Sequence, residues 1–433
     1  MGWRLSAERL RDAALAVLRT NDLGDWTRPA PRLYPHQWSW DSAFIAIGLA
    51  SVDADRALRE LESLFRAQWE DGRLPHIVFN PQAVDYFPGP ERWATAELTS
   101  AAPRSPRTSG LVQPPAHALA LERIWQVGGS AIRRRVESLL PAAIAWHRYL
   151  ATARDPEGSG LLSIYHPWES GTDNSPRWDE PFSRLEVGNS PAYSRHDLKH
   201  VADPSQRPTQ AEYDRYLWLV ELLKEARYDD AAVHRSHPFL IKDMLMTAIY
   251  ASACEALARL SGSSDVAAWG KRSAEGVLRS LSSDGLALDF DVRAGKPVEV
   301  KTCAGLASLL LPDLSREQLQ RMCEIVFGPS FAGAEGFTCK VVPSTAPGSP
   351  GFHSRSYWRG PIWPHMNWLV WRALRLHGEH ASARSLREAN LALLARPEAR
   401  FAEYFEPFTA EPLGSLDQSW TAAVALDWLA AAD

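Results

Sequence analysis

A chain of 433 residues, 45% of them hydrophobic and 23% charged, has the length and composition to bury a large core. Its formal net charge of −5, with no basic stripe, excludes the electrostatic footprint of a nucleic-acid or acidic-membrane partner. Its four cysteines, at 254, 303, 323 and 339, lack CxxC spacing, which excludes a zinc ribbon.

The chain opens with charges where a signal peptide would need an apolar core, and no eighteen apolar residues run together. A cytoplasmic location without a membrane partner is the expectation. Residues 4–20 form an amphipathic pattern with Leu10, Ala14, Val17 and Leu18 on one face. After a proline-rich connection, the aromatic and polar run 33–44 feeds the almost wholly apolar 45–50, a helix expected to be buried on most sides. From Asp53 to about Trp69 a different kind of helix follows, with Leu58, Leu61 and Phe65 as its only apolar stripe.

This alternation of an inner apolar helix and an outer charged one continues. A long loop, 70–112, leads to an apolar helix from Gln113 and a charged one over 130–153. The stretch 236–250 opens another inner helix, with 264–282 as its partner. Residues 300–311 precede a charged helix whose Ser315 and Gln318 have capping-box spacing. The run 357–368 opens the next, with 380–396 outside it, and 416–426 is the last. Six inner and six outer helices, their loop clusters recurring at roughly sixty-residue intervals, predict an all-α toroid of six helical hairpins. Residues 1–433 then make one domain. The stretches 70–112 and 154–235, the second holding an extra helix over 209–227, are expected to cap its mouth, and no sheet is predicted.

If all inner helices enter from one rim, the loops before them converge. They carry Tyr34, Gln37, Trp38, Trp40, Asp41, His76, Tyr86, Gln113, Trp168, Asp173, Trp358, Trp363, Gln418 and Trp420. Aromatic faces with a few amides and acids are the chemistry of a sugar pocket. Hydrolysis of a glycosidic bond needs two carboxyls. One set of candidates, Glu169, Asp173 and Asp179, stands in the loop 166–179. The other, Glu403, Glu406 and Glu411, stands in 401–415, and spacing alone does not choose within either set.

The chain resembles the bacterial glucosylglycerate and mannosylglycerate hydrolases, relatives of glycoside hydrolase family 63. The resemblance rests on Tyr-Pro-His-Gln-Trp-x-Trp-Asp at 34–41, Trp-Glu-Ser-Gly-x-Asp-Asn-Ser-Pro-Arg-Trp-Asp at 168–179, Tyr-Trp-Arg-Gly-Pro-Ile-Trp at 357–363 and Ser-Trp-Thr-Ala-Ala at 419–423. It implies an (α/α)6 barrel and an inverting mechanism with Asp173 as general acid. It places the base at Glu403, with Glu406 in reserve because Thr409-Ala410 stands where relatives carry Thr-Gly. Sugar-binding positions fall on Tyr34, Trp38, Trp40, Asp41, His76, Tyr86, Gln113, Trp168, Trp358, Trp363 and Gln418, and glycerate-binding positions on Arg207 and Tyr213. The implied partner is a small anionic glycoside, with no cofactor and no metal. Glucose or mannose as glycone, and a monomer or a homo-oligomer, are both left open. Alternatives are hydrolysis of a neutral glucoside such as trehalose, a sugar epimerase using His76, His166 or His353, and a non-catalytic sugar-binding protein.

Overall fold

The computed structural model describes residues 4–83, 85–199, 201 and 203–431. Six inner segments form a closed ring: Ser39–Ala50, His117–Val127, Met244–Ser261, the short Cys303–Leu306 with its 3-10 continuation Ala307–Leu310, Pro364–Leu376 and Ser419–Ala430. Each packs on the next, and Ser419–Ala430 closes the ring against Ser39–Ala50. The two closing helices approach so tightly that a Cβ on Gly48 would stand 2.2 Å from the Ala423 carbonyl oxygen. Outside them, Ala54–Phe65, Ser130–Ala153, Ser264–Arg279 and His380–Leu394 pack on the inner helices they follow, and Arg4–Asn21 packs on Ser419–Ala430. Arg316–Phe327 follows the short inner segment.

The molecule is thus an (α/α)6 toroid. Several of its helix starts follow local capping chemistry. Asp53, Asp243 and Ser263 each accept a hydrogen bond from the amide three residues on, and Pro364 opens its helix without needing a donor. Ser315 and Gln318 form the expected reciprocal capping box.

Three expectations are corrected. The inner helix over 300–311 is only one α turn and a 3-10 turn, because Pro312 forces Leu311 into extended backbone and Gly305 lies against the Ala287 carbonyl. The helix after Asp53 ends at Phe65, not Trp69, because the chain there turns and Trp69 donates to the Arg73 carbonyl. Sheet is present: Gln37–Trp38 pairs with Ile77–Val78, Tyr404–Phe405 with Pro412–Leu413, and four two-residue strands form a small antiparallel sheet. Segments this short show no alternating pattern in sequence.

Candidate active site

The aromatic loop before Ser39–Ala50 is fixed from below. Gln37 is buried and donates to Ser42 and Glu60, so it supports the helix start rather than lining the pocket. Strand pairing with 77–78 and a bond from the Ser39 amide to the His76 carbonyl bring His76 beside Trp38 and Trp40. The Gln113 side-chain oxygen accepts from the Trp40 amide at 3.2 Å, which joins the second inner helix's entry loop to the first.

The loop 166–179 is anchored by Glu169. It takes both arms of Arg154 at 2.8 Å and the amides of Val112 and Tyr165, all fully buried. This leaves Trp168 and Asp173 facing the pocket. Gly171, at φ +71°, lets the loop lie against Trp40, where a Cβ would approach the indole to 2.5 Å. Asn174 then accepts from the Trp358 amide at 2.8 Å, fixing the fifth inner helix's entry loop beside the same pocket.

One pocket collects the result. Its walls include Tyr34, Trp38, Trp40, Asp41, His76, Tyr86, Gln113, Trp168, Asp173, Arg207, Tyr213, Trp358, Glu403, Gln418 and Trp420. Residues from 76–88 and from 196–216 supply part of the wall, so both long inserted stretches reach the pocket. Trp363 is the exception among the expected sugar contacts. It stacks behind Trp358 at 3.8 Å and backs the wall rather than forming it.

The carboxyls divide sharply. Burial pushes the Asp173 carboxyl up to about 7, with the Arg207 charge opposing the rise and Glu403 adding to it. Burial and then Glu403 also push Asp41 well above the usual carboxylate range. Glu403 accepts the Tyr34 hydroxyl at 2.6 Å on one oxygen and the Ser415 amide at 2.9 Å on the other. Asp179 pairs with Arg359 and Glu411 with Arg355, both outside the pocket. Glu406 is spent on its own turn, accepting from the Phe408 and Thr409 amides and the Thr409 hydroxyl.

Arg207 is buried and reaches Asp197 at 3.4 Å, the Tyr34 hydroxyl at 3.1 Å and Glu403 at 3.9 Å. Asp203, the partner that sequence proximity suggests, instead caps Ser205. Four polar lining residues escaped the sequence reading: Tyr216, Tyr357, His196 and Asp197. Asp197 opens the 3-10 turn Asp197–Lys199 and joins the site through Arg207. Tyr357 takes a left-handed backbone, φ 38°, that no residue type would announce.

His76, His166 and His353 do not make an acid/base pair in the pocket. Burial drives His76 far below its usual pKa, so it is neutral. His166 accepts from the Trp168 amide and meets the Tyr216 carbonyl, and His353 lies outside the pocket. Among the described residues, no group of three His, Cys, Asp or Glu is placed to hold a metal ion, and no helix is long and apolar enough to cross a membrane.

The family model described as "Mannosylglycerate hydrolase MGH1-like glycoside hydrolase domain" matches residues 34–421. The chain belongs to this family. It is 44% identical to a glucosylglycerate hydrolase from Mycolicibacterium hassiacum, over 97% of this chain and 98% of the relative. It is 40% identical to a mannosylglycerate hydrolase from Thermus thermophilus, over 96% and 99%. A crystal structure of a family 63 mannosylglycerate hydrolase, also from Thermus thermophilus and in complex with Tris and D-glycerate, superposes with a TM-score of 0.89 at 39% identity, covering 97% of this chain and 99% of that one. The protein is therefore a glycoside hydrolase built on the (α/α)6 toroid.

Proposed function

We propose that this glycoside hydrolase cleaves glucosylglycerate or mannosylglycerate with inversion, using Asp173 as general acid and Glu403 as general base. The observation that carries the reading is a buried guanidinium, Arg207, in the same pocket as the two carboxyls. A net-acidic protein repels an anionic glycoside at long range unless a local cation receives it. Arg207 supplies that cation, with the Tyr213 hydroxyl in the adjoining wall. The names and bound D-glycerate of the relatives support the same assignment.

The chemistry follows from the division of the carboxyls. Asp173, held near 7, keeps its proton at neutral pH and gives it to the glycosidic oxygen as the bond from C1 breaks. Water bonds to C1 from the other side and passes a proton to Glu403. Trp38, Trp40, Trp168 and Trp358 present ring surface to the sugar, while Asp41, Gln113 and Gln418 offer hydroxyl partners beside His76 and Tyr86. The stretches 70–112 and 154–235 cap this pocket, the first through Tyr86 and the second through Arg207 and Tyr213. Four free cysteines favour a reducing, cytoplasmic site of action.

Incubation with glucosylglycerate, mannosylglycerate and trehalose, with released sugar measured for each, tests the reading. Release from a glycerate glycoside is expected. Turnover of trehalose in preference to both glycerate glycosides would overturn it.

A further inference from the structure

Arg207 is held on three sides within the pocket. Its Nε stands 3.4 Å from Asp197, but Asp197 is already taken by Nε and Nη2 of Arg195, at 3.1 and 2.7 Å. Its planar face covers the Tyr357 ring at 4.1 Å. Its Nη1 donates to the Tyr34 hydroxyl at 3.1 Å and lies 3.9 Å from Glu403. The same Tyr34 hydroxyl donates to Glu403 at 2.6 Å and stands 3.2 Å from the Tyr357 hydroxyl. Asp41, Asp173 and Tyr404 are the other titratable groups whose charges reach Glu403.

A short chain therefore runs from the cation that would receive the leaving group, through one hydroxyl, to the carboxylate that would take the proton from water. A hydroxyl whose oxygen is polarised by a cation is a stronger donor. Both contacts, the polarised hydroxyl and the nearby cation, fall on the same Glu403 oxygen, Oε1, and engage it in place of a water. A carboxylate seated on the guanidinium is a better, charge-assisted partner than a phenol. It draws Nη1 off Tyr34 and offsets the positive charge beside Glu403.

We propose that Arg207, acting through Tyr34, restrains Glu403 before substrate binds, and that the carboxylate of an anionic leaving group releases it, so that leaving-group charge acts on the chemical step as well as on binding. The inference deepens the proposed function and rests on it, since it takes Glu403 as the base and Arg207 as the glycerate site. Arg207 is a positioning residue in this scheme. Its positive charge also opposes the proton on Asp173, so the same carboxylate helps keep the acid loaded.

The test compares single-turnover rates at saturation for glucosylglycerate and its carboxamide, which has the same shape without the charge. Wild type is expected to cleave glucosylglycerate faster by at least about tenfold. In Arg207→Met the ratio is expected to fall to within about twofold, with the carboxamide gaining rate. Tyr34→Phe, which keeps the ring and cuts the link, is expected to shrink the ratio too, and decides the matter if Arg207→Met does not fold. A wild-type ratio near one with a difference only in half-saturation, or a ratio that persists in the variants, overturns this inference alone. If wild type releases sugar only from mannosylglycerate, the same comparison is made with mannosylglycerate and its carboxamide; no sugar released from either glycerate glycoside overturns the proposed function with it.

Discussion

Asp173 and Glu169 stand four residues apart on one loop, and the protein treats them in opposite ways. Glu169 is matched by a bidentate guanidinium and two amides, whereas burial keeps Asp173 protonated up to about pH 7. Asp173→Asn is expected to lower kcat by about 10²–10⁴-fold, because an amide delivers no proton. Its effect on stability has the opposite sign. An acid whose folded pKa is raised contributes its full stability below the unfolded value of 3.8 and loses it as pH rises through about 7. The Asn variant should therefore melt higher than wild type at pH 8 and level with it near pH 3.5, if both remain folded there. The free enzyme's kcat/KM should fall as pH rises above about 7, on the limb where Asp173 ionises. Glu169→Ala should do the reverse of Asp173→Asn in a melting experiment. It strands a buried arginine and is expected to cost about 3–5 kcal/mol.

The loops that enter the inner helices position the site, and their contacts explain which residues were legible in sequence. The aromatic runs at 34–41, 166–179 and 357–363 stood out because tryptophans, turn formers and acids cluster there. Entry of all inner helices from one rim then put most of them in one pocket. Trp363 looked the same as Trp358 in sequence, yet it sits one layer back, because stacking depth depends on the local turn. Gly171 is a case the sequence marks only as a turn, although its missing Cβ is what lets Trp40 and the Asp173 loop meet. Gly171→Ala, strained at φ +71° and in contact with the indole, is expected to cost about 1–3 kcal/mol of stability. It should also reduce kcat/KM at least about tenfold. Thermal melts and steady-state rates on glucosylglycerate would check both. An unchanged kcat/KM would mean that the loop does not need Trp40 to place Asp173.

At the scale of the whole molecule, the toroid was readable because its repeat is chemical: an apolar helix buried on nearly every side, then one with a single apolar stripe. The weakest link in that pattern, 300–311, is where the structure departs most, since a proline and a close backbone approach shorten the inner segment. Ring closure depends on residues far apart in the chain, and nothing local at Gly48 signals that Ala423 will lie against it. That closure lets Glu403, near the chain's end, meet Tyr34, near its beginning, with Asp173 and Arg207 from the middle in the same pocket. The central claim is that Asp173 and Glu403 flank the glycosidic bond as acid and base. It requires their carboxyls to stand about 6.5–9.5 Å apart across a water and the configuration at C1 to invert. Proton NMR of the sugar as it is released from α-glucosylglycerate tests this most directly. β-Glucose should appear first and mutarotate to the mixture, and early α-glucose would contradict the account.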